Sequence, residues 1–189
     1  VSKFFFYDTE NCTKIVFSTT TWLAVGIVVL ALIKAPAAAA EDSNHRINIE
    51  ITTHLGDKQT FEAGDQISFL VTLDRDAYLL MIYEDARHNL VQVIPNRHHN
   101  NNFYKNGLFI AVPDRDDPFR FVVNPPFGQE TLWVFASSKP LPTLAGTTLA
   151  NGLKKLTQPL ATIKTRLRTD TSPSSFGEAK TTIFTKPGS

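Results

Sequence analysis

The chain has 189 residues, 42% of them hydrophobic, which is enough for one ordinary domain with a core of its own. Its 19 basic and 18 acidic side chains nearly cancel. No global field gathers phosphates, so nucleic-acid binding is disfavoured. The single cysteine, Cys12, rules out an internal disulfide and a cysteine-built metal site.

The first distinctive segment is near the N-terminus. Lys3 and Lys14 precede an apolar core from Trp22 to Ile33. A proline, Pro36, and the small residues Ala37 to Ala40 follow, and polarity changes at Glu41. Apolar insertion followed by a small-x-small site at Ala38 and Ala40 is the chemistry of a secretory leader. Residues 1–40 are therefore expected to be a signal peptide cut after Ala40, leaving residues 41–189 as a single domain. The leader is longer than the usual range of roughly 15–30 residues and carries Asp8 and Glu10. The alternative is an uncleaved inner-membrane anchor, since Ile15 to Ile33 nearly suffices to span a bilayer. Ser18 to Thr21 weaken that alternative. Cys12 precedes the apolar core, whereas a lipidated cysteine would follow it. Removal of residues 1–40 takes away Lys3, Lys14, Lys34, Asp8 and Glu10 and leaves acids and bases equal in number.

From Arg46 onward the period is two. Ile47, Ile49 and Ile51 alternate with polar neighbours, as in a half-buried strand. Gly64-Asp65 opens a strand lined by Ile67, Phe69, Val71 and Leu73. Asp74-Arg75-Asp76 makes a turn. The run from Ala77 to Tyr83 is apolar on both faces, which places it centrally in a sheet. A turn at Arg87-His88-Asn89 leads to a strand stopped by Pro95. Asn106-Gly107 suits a type I′ hairpin, with Leu108 to Val112 as the return strand. Further strands are expected at Phe119 to Val123 and Glu130 to Ser137. Short strands separated by Gly, Pro and Asn turns predict an antiparallel all-β sandwich of Ig-like or C2-like type.

The tail changes period. Leu149, Leu153, Leu156, Leu160, Ile163 and Leu167 are spaced like one face of a helix. The spacing predicts an amphipathic helix over about 148–168, interrupted at Pro159. It is expected to lie over an open end of the sandwich, with a partner-binding helix as the alternative. Residues 178–186 read as a closing strand.

Several of these pieces resemble one known bacterial family. They are Phe61 to Asp85, Val93 to Asn102, Ala111 to Asp114, and Asn124 to Leu141. Gly64-Asp65, Asp76-Ala77-Tyr78, Pro95-Asn96 and Pro126-Phe127-Gly128-Gln129-Glu130, in that order, are similar to the domain-of-unknown-function family 4384. The resemblance covers roughly Phe61 to Leu141; the stretch after Leu141 lies outside its stronger part. It implies an extracytoplasmic, or kinase- and peptidase-appended, β module, and no established reaction.

Two groups of residues invite a chemical reading. Asp74 and Asp76 sit in one loop, and Asp114, Asp116 and Asp117 in another. If these loops shared an end of the sandwich they would supply oxygens for calcium. Arg75 and Arg115 oppose that, and Asp favours such turns for local reasons. His98 and His99 are adjacent on an extended segment and point apart, so they do not share a metal easily, and His88 lies in an earlier turn. The loop reads as solvated, with asparagines bonding their own backbone. Trp133, Phe135, Tyr78, Phe69 and Phe121 read as core rather than as a carbohydrate platform. GxSxG, HExxH, Walker A and GxGxxG are absent.

No catalytic residue, cofactor or metal ligand is assigned on these grounds. The expected function is an exported, non-catalytic module, periplasmic or extracellular, that binds another envelope protein or a surface polymer. A calcium- or small-ligand-binding module using residues 74–76 and 114–117 is the alternative, and a hydrolase is less favoured. Nucleic acid is not an expected partner. Membrane contact is expected only through an uncleaved leader.

Overall fold

The computed structural model describes residues 4–5, 46–56 and 60–188. The expected leader, its cleavage site and Cys12 lie outside the described residues, apart from Phe4 and Phe5. The strands in chain order are β1 (Phe4–Phe5), β2 (Ile49–Thr53), β3 (Thr60–Glu62), β4 (Gln66–Ile67) and β5 (Phe69–Leu73). Then come β6 (Ala77–Glu84), β7 (Leu90–Ile94), β8 (Phe103–Tyr104), β9 (Ile110–Val112) and β10 (Arg120–Val122). The last are β11 (Gly128–Ser137), β12 (Gly146–Thr148), β13 (Lys154–Leu156) and, after helix α1 (Leu160–Asp170), β14 (Phe176–Lys186).

The fold is an all-β sandwich with one C-terminal helix. The large sheet runs β12-β13-β7-β6-β11-β14-β3, and β8 adds beside β6. The facing layer is built on the run 66–73, where β5 pairs with β2 and β9 and β4 pairs with β10. The ladders are antiparallel except β14 with β3, which is parallel. β6 lies between β7 and β11, as its two apolar faces require. Leu79 and Met81 point into the core between the sheets, while Leu80 and Ile82 point to the opposite face. The closing strand begins two residues earlier than expected and pairs with β11 from Ser137↔Phe176 to Gly128↔Thr185.

The tail departs from its sequence pattern. The helix does not cover 148–168: it starts at Leu160, and residues 146–156 form the β12–β13 hairpin. Pro159 stands immediately before the helix, where its missing N–H costs nothing. Asn151-Gly152 makes the hairpin turn, with Gly152 at φ +82°. The positive φ favours glycine there, and a Cβ would also press on the exposed His98 ring, which would have to turn aside.

The leucine stripe is nevertheless a packing stripe. Leu153 belongs to the core between the sheets, whereas Leu156, Ile163 and Leu167 pack on Leu80, Ile82, Phe135 and Phe176. The helix therefore covers the outer face of the large sheet, not an open end of the sandwich. Two hydrophobic layers stack on β6 and β11, one on each side.

Candidate docking site

Two connections pass from sheet to sheet at one end of the sandwich. Residues 74–76 carry the chain from β5 to β6. Residues 105–109 carry it from β8, paired with β6, to β9, paired with β5. Asn106-Gly107 is thus a crossing between sheets and not a two-residue hairpin. Gly107 has a positive φ but Asn106 does not, so the type I′ geometry is absent. The reason lies in their partners. The Asn106 N–H donates to Asp76 Oδ1 at 2.9 Å, and the Gly107 N–H donates to the Leu73 carbonyl at 3.3 Å.

Asp76 ties the two crossings together. Its Oδ2 also accepts a hydrogen bond from Lys105 Nζ at 2.7 Å. The Lys105 ammonium, then the Asn106 N–H, hold the Asp76 carboxyl below its ordinary range. On the frame so fixed, Leu108 is 56% exposed, Phe109 77% and Phe103 37%. The Phe103 ring lies 4.9 Å from the Tyr78 ring and 5.3 Å from Lys105 Nζ. Leu108 and Phe109, by contrast, project outward. An apolar pair on a hydrogen-bonded loop is suited to a docking surface.

The two Asp loops do not form one cage. β5 runs from Phe69 to Leu73; residues 74–76 leave its C-terminal end. Val112 pairs with Phe69, so residues 114–117 follow at its N-terminal end. Their carboxylates do local work. Asp74 Oδ1 accepts from the Asn48 N–H at 3.0 Å, and Asp117 Oδ2 from the Asp114 N–H at 2.7 Å. Arg120 reaches across the second loop to the carbonyls of Arg115 and Asp117, at 2.8 and 2.7 Å. Asp116 is exposed. Among the described residues no three His, Asp or Glu side chains gather as metal ligands.

The histidine loop is more ordered than a solvated one. Asn96 Oδ1 accepts from the N–H groups of His98 and His99, at 2.7 and 2.8 Å, as an Asx turn does. His99 Nε2 lies 3.1 Å from Oδ1 of the buried Asp117, where this loop meets the second Asp loop. Burial pushes the Asp117 carboxyl up, against the opposing pull of the Asp114 N–H and of His99. Burial, then the charges of Asp117 and Asp114, raise the Tyr104 hydroxyl. His88 stands apart, 2.7 Å from Glu84 Oε1. Phe69, Phe121 and Phe135 are core, as expected. Tyr78 and Trp133 are half-buried, and Lys164 of α1 lies 3.6 Å over the Trp133 ring.

One buried acid was missed from the sequence. Glu130, 1% exposed, accepts from the Tyr83 hydroxyl and, at 3.1 Å, from Thr185 Oγ1. It joins β6, β11 and β14. The signal was available: Glu130 is in phase with Leu132, Val134 and Ala136, all of which face the core.

Glu130 also ends the Pro-x-Gly-x-Glu turn on which the family resemblance rests. Residues 60–140 match the family model of the domain of unknown function DUF4384. No curated protein and no solved structure matches the chain. The DUF4384 region holds the apolar tip, both Asp loops, the histidine loop and Glu130. Outside it lies a cleft of about 610 Å³ lined by Arg46, Ile47, Asn48, Arg168, Phe176 and Glu178.

Glu178 of that cleft sets a pH dependence. Partial burial raises its carboxyl, but hydrogen bonds from Lys164 and Arg168, at 2.7 and 2.6 Å, outweigh burial and leave it below the ordinary value. A depressed carboxyl contributes stability above its unfolded pKa, about 4.3, and loses it as pH falls through the folded value. Asp117, raised, has the opposite sign: its contribution is present at low pH and is lost as pH rises through its folded value. The expected result is that the native chain loses more stability than Glu178→Gln between pH 7 and pH 3. Urea unfolding at both pH values measures it; equal losses in the two proteins would remove Glu178 from the account.

Proposed function

We propose that this chain is an exported, non-catalytic β-sandwich module that docks a protein partner of the cell envelope through Leu108 and Phe109. The observation that carries the reading is the exposure of these two residues, 56% and 77%, on a crossing fixed by Asp76. Scattered single apolar residues need no explanation. Two adjacent ones, following a crossing held by hydrogen bonds at residues 105–107, suit the apolar centre of a protein contact. A sugar polymer would have to stack on Phe109 alone, since Tyr78 and Lys105 both lie against Phe103. Export is supported by the apolar run and small-residue site of residues 22–40. No helix among the described residues is long and apolar enough to cross a membrane.

The test is Leu108→Ser/Phe109→Ser in a C-terminally tagged chain, crosslinked in intact cells and purified. Surface changes of this kind alter stability by about 0.5 kcal/mol or less. The double variant should therefore fold normally and lose its crosslinked partner at least about tenfold, since anchor residues commonly contribute 2 kcal/mol or more. Undiminished capture by the folded variant would overturn the docking surface. N-terminal sequencing of the same preparation should begin at Glu41; a chain still carrying residues 1–40 would overturn leader cleavage.

A further inference from the structure

The tip runs directly into a strand edge. β9 ends the path β2-β5-β9, and among the described residues no hydrogen bond joins it to anything but β5. In an antiparallel ladder alternate residues turn their N–H and C=O groups away from the partner strand. β9 therefore offers backbone donors and acceptors on its outer side.

Natural edges are usually guarded by a lysine, a proline within the strand, a bulge or an inward charge. This one is not. Between Lys105 and Asp114 there is no charged residue, and the only proline, Pro113, comes after the strand. The exposed Leu108 and Phe109 sit at the start of that uncharged run.

The same run already receives a strand further along. β9 passes Val71 to Phe69, and β10 continues in the same direction past Ile67 to Gln66, after the loop 113–119. On β10, Phe4 pairs with Phe121 and Phe5 with Arg120, antiparallel. Before removal of the leader an extended segment of this chain is thus seated on β10, while β9, nearer the apolar tip, carries none.

Resting on the docking reading above, we propose that the partner is bound by strand addition. An extended, apolar segment of another protein lies antiparallel along β9 and covers Phe109 and Leu108 with its side chains. Main-chain hydrogen bonds then supply affinity and the Leu108–Phe109 surface supplies selectivity, as in other edge-strand complexes. The seated β1 strand indicates the chemistry of the occupant: an extended apolar segment able to pair in antiparallel register.

The probe is a synthetic peptide of residues 2–8, SKFFFYD, offered to the exported chain that begins at Glu41. Its control is the same peptide N-methylated at its three phenylalanine amides, which keeps the side chains and removes the donors. Hydrogen exchange reads the amides of Ile110 to Val112. The plain peptide should slow those that turn away from β5 at least about tenfold, and the N-methylated peptide should not. Equal slowing by both peptides, or by neither at millimolar concentration, would overturn strand addition. The docking surface fails separately, if Leu108→Ser/Phe109→Ser keeps its crosslinked partner. Concentration-dependent protection of Ile110 to Val112 without peptide, together with a dimer in sedimentation, would make a second copy the occupant and overturn the proposal.

Discussion

Leu167→Ala lowers the unfolding free energy by about 2–5 kcal/mol, the cost of truncating a packed leucine without collapse of its site. Leu167 is fully buried and Ile163 is 1% exposed, both against the outer face of the large sheet. Burying one such side chain stabilises by roughly 1.5–3 kcal/mol, and the cavity adds to the loss. A marginal total of about 5–15 kcal/mol makes this a large fraction. Urea unfolding followed by tryptophan fluorescence measures it, because Trp133 lies beneath Lys164 of the same helix. Leu156→Ala belongs to the same apolar layer but to the hairpin, and at 7% exposure it should lie toward the low end of the range. A helix that served as a recognition element would behave differently: stability nearly unchanged and partner capture lost. Because the docking tip lies at an end of the sandwich and α1 on its outer face, the folded fraction of Leu167→Ala should capture the partner normally.

The strands were legible because their periods are local. Ile47 and Ile49, then Phe69, Val71 and Leu73, alternate with polar or half-buried neighbours, and each buried member faces the core. The two-faced run of β6 told its central position for the same reason. The hairpin at 146–156 was not legible. Leu149, Leu153 and Leu156 keep helical spacing while lying on a turn and a strand, and Gly152 and Pro159 were the stronger signals. Spacing records which residues are buried; it does not record which backbone buries them.

The site was less legible than the fold, because its parts meet through register. Nothing local says that Val112 opposes Phe69, and that single pairing separates the two Asp loops. His99 and Asp117 meet across loops distant in sequence. Asn106-Gly107 carries the composition of a hairpin turn, yet Asp76 and Leu73 claim its N–H groups and make it a crossing. Glu130 differs: its phase with Leu132 and Val134 foretold burial, but a carboxylate in that phase needs donors that only the neighbouring strands reveal.

Those donors make Glu130 the second large expected effect. Glu130→Ala should cost about 2–4 kcal/mol, since it removes two buried hydrogen bonds and takes this acceptor from the buried Tyr83 hydroxyl, and a buried group that loses its partner costs roughly 1–3 kcal/mol. The Tyr83 hydroxyl would lose this acceptor inside the core, while Thr185 Oγ1 keeps the Gly128 carbonyl at 3.3 Å. Glu130→Gln keeps size and one acceptor oxygen and should cost less, about 1 kcal/mol. Tyr83→Phe should fall between them, because the carboxylate then stays buried with one donor fewer. The three strands differ in their other contacts, so the single changes do not separate the network from general packing. The double variant Glu130→Ala/Tyr83→Phe does. If the two groups act through each other, its loss should be smaller than the sum of the single losses by about 0.5–3 kcal/mol. Strict additivity in urea unfolding would mean that the turn ending at Glu130 is held by its backbone ladder alone. Coupling would mean that the acid at the end of the Pro-x-Gly-x-Glu turn fixes β6, β11 and β14 from inside the core.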